Sequence, residues 1–315
     1  MKSDVFPNCL RCLTDLNERS IRMNAKLKLF TSMFLFGTIG LFVRAIPLPS
    51  SVIALVRAFI GTLFLLLLLV FKHQKPDFSA IRRNAVRLLV SGTAMAFNWI
   101  LLFEAYRYTT VAIATLCYYF SAIFVIIASP FILKEKLAPV KAVCSLIALI
   151  GMVLVSGVLD TKASFSPVGV GLGLGAAVLY AAVVLLNKQL NGISSFDTTI
   201  SQLGTAAVVL LPYVLLTEKL SAFSLEPFGL LMLLTVAIVH TGAAYAMYFS
   251  SLQHLKAQTA ALFSYLDPVV ALLLSVFVLK EPMTPAAMIG AVLVLGAMLM
   301  SEFLPVKTKA DIQKG

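Results

Sequence analysis

Asp267 and Arg57 are the residues whose types and positions could do chemistry. Asp267 lies in an apolar run that begins near Ala257 and ends near Leu279. Read as a membrane-crossing helix, that run places Asp267 ten residues in, about 15 Å deep and near the middle of a hydrocarbon core about 30 Å thick. A carboxylate there costs roughly 2.5–3.5 kcal/mol on insertion scales, so it should face a protein interior or water. Pro268 follows and cannot donate to the helix ladder, which frees the carbonyl near residue 264 and invites a kink. Such a charge could bind a substrate amine, carry a proton, or serve as a structural ion pair or cap. Arg57 is the cationic counterpart, six residues into another apolar run. It could pair with Asp267, meet a substrate carboxylate, or snorkel to the surface about 9 Å away.

Other polar and aromatic groups fall at similar depth in their own runs: Asn98, Trp99, Tyr118, Tyr119, Tyr180, His240, Tyr245 and Tyr265. Tyr and Trp usually prefer membrane interfaces, so a mid-depth layer of them is informative. Singly, each reads as a packed core residue. Together they read as an aromatic and polar pocket. His240 reads as a hydrogen-bonded core histidine, with a proton relay as the alternative. It has no ligand neighbours, and neither a metal nor any other cofactor is expected. Cys9-x-x-Cys12 has no second Cys or His pair to complete a metal site. Cys117 and Cys144 lie in apolar runs and behave as small hydrophobes.

The elements that position these residues are apolar. The chain has 315 residues, 60% of them hydrophobic and only 12% charged, with a mean hydropathy of +0.97. A soluble domain would be nearer about 25% charged. Ten spans are expected: 28–46, 51–71, 86–106, 111–132, 139–157, 167–187, 198–216, 229–250, 257–279 and 286–304. Lipid offers no partners for free amides, so each must be helical. The net charge of +11 sits mainly in short connections, where it orients the protein rather than binding nucleic acid. Nineteen Lys and Arg fall on the side of the two termini, against Arg107, Lys162, Lys219 and Lys280 on the other. Both termini should therefore be cytoplasmic, in an inner or plasma membrane. Residues 1–27 read as a polar tail without fixed structure, with Met23 a plausible alternative start, and 305–315 as a cytoplasmic tail.

The chain is written twice. With an offset of 146, residues 103–139 align on 249–285: Phe103 meets Phe249, Tyr119 meets Tyr265, Leu133-Lys134-Glu135 meets Leu279-Lys280-Glu281, and Pro139 meets Pro285. Repeats of five spans each, 28–157 and 158–304, follow from the ten-span layout. An odd number forces the second copy to enter the bilayer from the opposite side, as in transporters that alternate access. Glu135 and Glu281 end equivalent spans on opposite faces and read as caps or gate contacts. Glu104 is a gate residue or an interface charge, and Arg44 and Arg107 are interface anchors. Pro130 and Pro212 mark further kinks. Gly169/Gly173 and Gly171/Gly175 form overlapping small-residue ladders that allow close helix approach. Gly290 and Gly296 are too weak a pair to argue for a dimer, so the oligomeric state stays open.

These features resemble the drug/metabolite transporter superfamily and, within it, the ten-span EamA group. The doubled five-span layout, Arg57 early in the second span and the Leu-Lys-Glu plus Pro endings carry the resemblance. So does Tyr265-Leu-Asp-Pro268, whose first-half counterpart, Tyr119-Phe-Ser-Ala122, lacks the proline. The resemblance implies an all-α membrane protein of two inverted repeats, with a cavity lined by spans 1, 3, 4, 6, 8 and 9 and spans 5 and 10 peripheral. It implies export or exchange of a small metabolite, often an amino acid or related amphiphile, with protons as a possible coupling ion. A lipid-modifying enzyme would need clustered acids for a metal, which the 14 acidic residues do not form. A non-transporting subunit or sensor would need no polar layer at mid-depth.

Overall fold

The computed structural model describes residues 5–43, 45–109, 111–136, 139–155, 158, 166–218, 226–278 and 284–303. The described residues are helical with no strand. Helix starts follow local chemistry. Pro139, Pro167, Pro227 and Pro285 open α7 (Pro139–Val155), α8 (Pro167–Lys188), α10 (Pro227–Thr235) and α14 (Pro285–Phe303). Proline suits a first helical position, where its missing N–H would be unpaired anyway. Ser166 and Ser194 cap α8 and α9 (Ser195–Thr217), accepting from the amides of Gly169 and Asp197 at 3.3 and 3.0 Å.

The remaining elements are α1 (Val5–Val43), α2 (Ser50–Phe71), the short α3 (Phe78–Arg83), α4 (Ala85–Tyr108), α5 (Val111–Tyr119), α6 (Ser121–Ile132), α11 (Ala244–His254), α12 (Ala257–Phe263) and α13 (Leu266–Phe277). A π-helical stretch, Val236–Ala243, joins α10 to α11. Seven stretches are long and apolar enough to cross a membrane: 20–43, 50–71, 85–108, 113–132, 167–188, 195–217 and 227–254. The shorter α7 and α14 and the broken pair α12–α13 occupy the remaining expected spans.

Two expectations need correcting. Residues 5–27 are not an irregular tail, because α1 runs unbroken from Val5 into the first span. After Pro7, in its first turn, no Gly or Pro interrupts the segment before Gly37, so a helix nucleated in the span propagates backwards. Pro130 and Pro212 lie inside α6 and α9, and the helices are interrupted at Phe120 and at Ser264–Tyr265. Finally, Gly169 and Gly173 form a close seam against Thr109 and Cys117, but a side chain at Gly171 would meet nothing within 4 Å.

The packing repeats the sequence symmetry. Each copy packs on the other: α4 and α6 of the first lie against α8 of the second, and α11 and α13 of the second lie against α1 of the first. The α4–α9 seam corresponds to the seam between the π segment and α2. Three further pairs, α2–α9, α6–α12 and α7–α14, also cross between the copies. Gly151 and Gly290 bring α7 and α14 into backbone contact, since a Cβ on either would strike the other's carbonyl. Gly290 thus serves an intrachain seam. Exposed Leu, Ile, Val and Phe on the outer faces, such as Leu67, Phe131, Val208 and Leu216, form the lipid-facing belt.

One seam breaks the symmetry. On the Lys/Arg-rich side α12 packs on α6, but on the opposite side α5 and α13 make no comparable seam among the described residues, and α5 lies against α8. The space between the copies is therefore shut at one end.

Candidate functional site

A cavity of about 180 Å³ lies at this junction. Asp267, Arg57, Trp99, Tyr118, Tyr119, Tyr180 and Tyr245 line it, joined by Phe36, Phe103, Ser121 and Ser264. Asp267 is half-buried in the first turn of α13, where the helix dipole favours an anion. Pro268 falls in that same first turn, where no amide hydrogen is needed, just after the interruption at Ser264–Tyr265. Just upstream, the amide of Tyr265 donates to the carbonyl of Leu262 in a tight turn at 3.2 Å. The fourth span makes the same kind of turn without a proline: Phe120 donates to Cys117 at 3.2 Å. Gly37 lets α1 approach this point, because a Cβ there would lie 2.6 Å from the carbonyl of Asp267.

Aromatic side chains surround both charges. Tyr119 lines the cavity together with Asp267. Tyr119 also lies 6.0 Å, centroid to centroid, from Tyr265, whose hydroxyl donates to the Tyr119 carbonyl at 3.3 Å and contacts Ser145 at 3.4 Å. Arg57 donates from Nε to Thr241 Oγ1 at 2.9 Å and lies 5.4 Å from the Trp99 ring centroid. Thr241 is aimed by the π stretch, its own hydroxyl donating five residues back to the Val236 carbonyl at 2.9 Å. Trp99 and Tyr245 meet edge-on, their ring centroids 6.4 Å apart. Tyr118 lies 5.4 Å from Tyr180, which donates to Tyr248 at 3.0 Å. Among the described residues neither Asp267 nor Arg57 is in an ion pair.

Known proteins place this architecture. A sequence profile described as the EamA-like transporter family matches residues 24–157 and, a second time, 167–302. The chain belongs to the EamA-like transporter family. An uncharacterized transporter of Bacillus subtilis, YxxF, is 30% identical over 256 residues, 80% of this chain and 81% of that protein. An uncharacterized transporter of Archaeoglobus fulgidus is 25% identical over 272 residues, 86% of this chain and 93% of its own. One solved crystal structure superposes with a TM-score of 0.78 at 18% identity, covering 88% of this chain and 96% of that one, and so shares the fold. This EamA-like chain is a multi-pass membrane transporter, which makes a small molecule its substrate and the bilayer its surroundings.

Within that frame, several singled-out residues lie outside the cavity lining. Asn98 donates to the Ala176 carbonyl at 2.6 Å and ties α4 to α8. His240 is buried against Phe42, its Nε2 2.8 Å from the Thr38 hydroxyl. Tyr265 supports Tyr119 from behind. Glu104 accepts from Arg107 at 3.1 Å and from the Tyr213 hydroxyl at 2.9 Å, at the far end of α4. Glu135 accepts from the Ala257 amide at 3.3 Å, where α12 begins. Glu281 and Arg44 lie outside the described residues.

The repeat offset finds part of what single-residue reading misses. Trp99 and Tyr245 are 146 apart, as are Tyr118 and Ser264, and Ser121 and Asp267; all six line the cavity. Phe36 and Met33 of α1 carry no such signal, because an apolar wall residue and a lipid-facing one look alike in sequence.

Proposed function

We propose that this chain is a secondary transporter of the inner or plasma membrane, with both termini cytoplasmic. It exports or exchanges a small amphiphile, an amino acid or similar metabolite, by alternating access through the cavity. One observation carries this reading: Asp267 and Arg57 face one aromatic-walled space, and neither is in an ion pair among the described residues. Charges in an apolar interior are costly unless something answers them. A substrate ammonium at Asp267 and a carboxylate at Arg57 would answer both, while Tyr118, Tyr180, Tyr245 and Trp99 enclose the body between. The volume of about 180 Å³ is below the roughly 300–1,000 Å³ of drug-sized pockets and suits a metabolite.

Support for alternating access comes from the broken symmetry. Exchanging the two copies' conformations would move α5 onto α13 and release α12 from α6 toward α1, opening the end now shut. Asp267 sits beside the break that must flex and is also the candidate proton carrier.

Comparative metabolite profiling tests the reading. Wild type, Asp267→Asn and an empty vector are expressed, the two proteins at matched membrane levels, and cytosol and medium are followed. A metabolite that leaves the cell with wild type and not with Asp267→Asn is the expected result. Equal export by both removes Asp267 from the mechanism. No difference from the empty vector, followed by no flux in purified liposomes loaded with amino acids, rejects export. If protons are coupled through Asp267, the pH dependence of wild-type flux disappears in Asp267→Asn.

A further inference from the structure

A second groove, of about 360 Å³, opens between α1, α2, α9 and α11 on the Lys/Arg-rich side. Its floor is apolar: Phe64, Leu65, Leu68 and Met247. Its mouth is basic. The Lys28 ammonium reaches Ser250 Oγ at 3.2 Å, and the Lys72 ammonium lies 4.9 Å from the Phe196 ring centroid. Both lysines are exposed, and no acidic side chain lines the groove. The acid nearest in sequence, Asp197, is buried and turned to Ser194, whose hydroxyl donates to it at 2.9 Å.

The grooves between α2 and α9 and between α6 and α8 carry no charged side chain, so they ask only for hydrocarbon. The basic groove differs in having two cations at one end of an apolar wall. From Phe64 to Lys72 that wall runs eight residues, about 12 Å of helical rise, enough for the upper part of an acyl chain. We infer that this groove binds one anionic phospholipid from the adjoining leaflet, its phosphate between Lys28 and Lys72 and a chain along Leu65 and Leu68. Basic pockets between membrane helices select such headgroups by charge, while the apolar wall holds the chain whatever the headgroup. The occupied groove would bridge α1 and α2 of the first copy to α9 and α11 of the second, at the shut end.

Native mass spectrometry of the purified full chain, titrated with phosphatidylglycerol or phosphatidylcholine of matched chains, tests this. A one-to-one adduct that favours phosphatidylglycerol is expected. Each lysine contributes about fivefold by its proximity to the headgroup, so Lys28→Ala with Lys72→Ala should weaken binding roughly 25-fold. Lys256→Ala, an exposed lysine outside the groove, should leave binding unchanged. Leu68→Trp, which fills the apolar floor and keeps both amines, should weaken the lipid as well. Equal binding of the two lipids, or an adduct insensitive to the lysine pair, overturns the inference. So does displacement of the lipid by millimolar inorganic phosphate, which would mark a headgroup-only site. A lipid-free dimer lost in Leu68→Trp would assign the groove to a second copy of the chain and overturn it too.

Discussion

The clasp that shuts one end of the molecule is chemically unequal to its repeat counterpart, and that inequality predicts a measurable bias. Where α12 meets α6, Gln258 donates to Ser129 Oγ at 3.0 Å and to the Lys136 carbonyl at 3.2 Å. Lys141 donates to Thr259 on the same helix. Subtracting the repeat offset gives Ala112 and Ile113 for Gln258 and Thr259, and adding it gives Ala287 for Lys141. The opposite closure therefore lacks these bonds. The variant Gln258→Ala with Thr259→Ile gives the clasp its counterpart's side chains at both α12 positions. Interhelical hydrogen bonds in membranes average about 0.6 kcal/mol, so losing three removes about 1.8 kcal/mol from this closure. That is roughly a 20-fold shift in the ratio of open to shut at this end. Cys introduced at cavity-lining Ser121, with Cys9, Cys12, Cys117 and Cys144 replaced by Ser, reports the shift. A membrane-impermeant maleimide should reach it slowly from the Lys/Arg-rich side in the parent, and about 20-fold faster in the variant. An unchanged labelling rate from that side, in protein of unchanged thermal stability, would refute the clasp.

Four further outcomes follow from the geometry. Asp267→Asn removes a charge-assisted bond worth about 1.5–3 kcal/mol, so affinity for an amine-bearing substrate should fall roughly 10- to 150-fold in liposome flux assays. Arg57→Lys keeps the charge but loses the planar guanidinium over Trp99 and the Nε bond to Thr241, so uptake of a carboxylate-bearing substrate into liposomes should fall about tenfold. Asn98→Leu cuts the tie to Ala176 and should cost about 0.6–1.7 kcal/mol, read as a lower melting temperature in detergent with the substrate KM unchanged. Gly290→Val drives a side chain into the Gly151 carbonyl and should destabilise by about 1–3 kcal/mol, whereas Gly296→Val, with nothing within 4 Å, should melt like wild type.

Much of the scaffold is legible in the sequence because membrane helices announce themselves by length and their starts by proline. Pro139, Pro167, Pro227 and Pro285 each stand at a helix start. The acid at mid-depth and the aromatic layer were also visible, since polar groups are rare there. The π stretch was not, because nothing in Val-Ala-Ile-Val-His-Thr-Gly-Ala breaks a helix; the wider turn shows in side-chain contacts that reach five residues back, Thr241 to the Val236 carbonyl and His240 to the Thr235 carbonyl. The break at Phe120 was equally hidden. Its repeat partner carries Pro268, and Ala122 stands in the corresponding place, so the turn there rests on tertiary packing rather than on a local breaker. Asn98 looked like a cavity residue because depth is readable from sequence and azimuth is not. A featureless apolar span hides which face meets its neighbours, since lipid and protein interior are equally apolar.

The cavity is symmetric in position and asymmetric in chemistry. Trp99 and Tyr245 preserve an aromatic on both sides of the repeat axis, but Asp267 faces Ser121 and Tyr118 faces Ser264. A symmetric cavity would accept a head-to-tail substrate equally in two orientations. One acid and one base, drawn from different copies, remove that degeneracy. The two charges also sit on elements with different duties. Arg57 stands on α2, whose seam with the π stretch has an equivalent in the α4–α9 seam, so exchange of conformations between the copies leaves its setting intact. Asp267 stands next to the break between α12, which must leave α6, and α13. On the alternating-access reading, Arg57 is the fixed anchor and Asp267 the group whose surroundings change. Replacing Ser121 by Asp would test this division of roles. A second acid at the symmetric position should let the amine bind in either register, lowering KM while slowing release, and an unchanged KM and rate would mean that the symmetric position never faces the substrate.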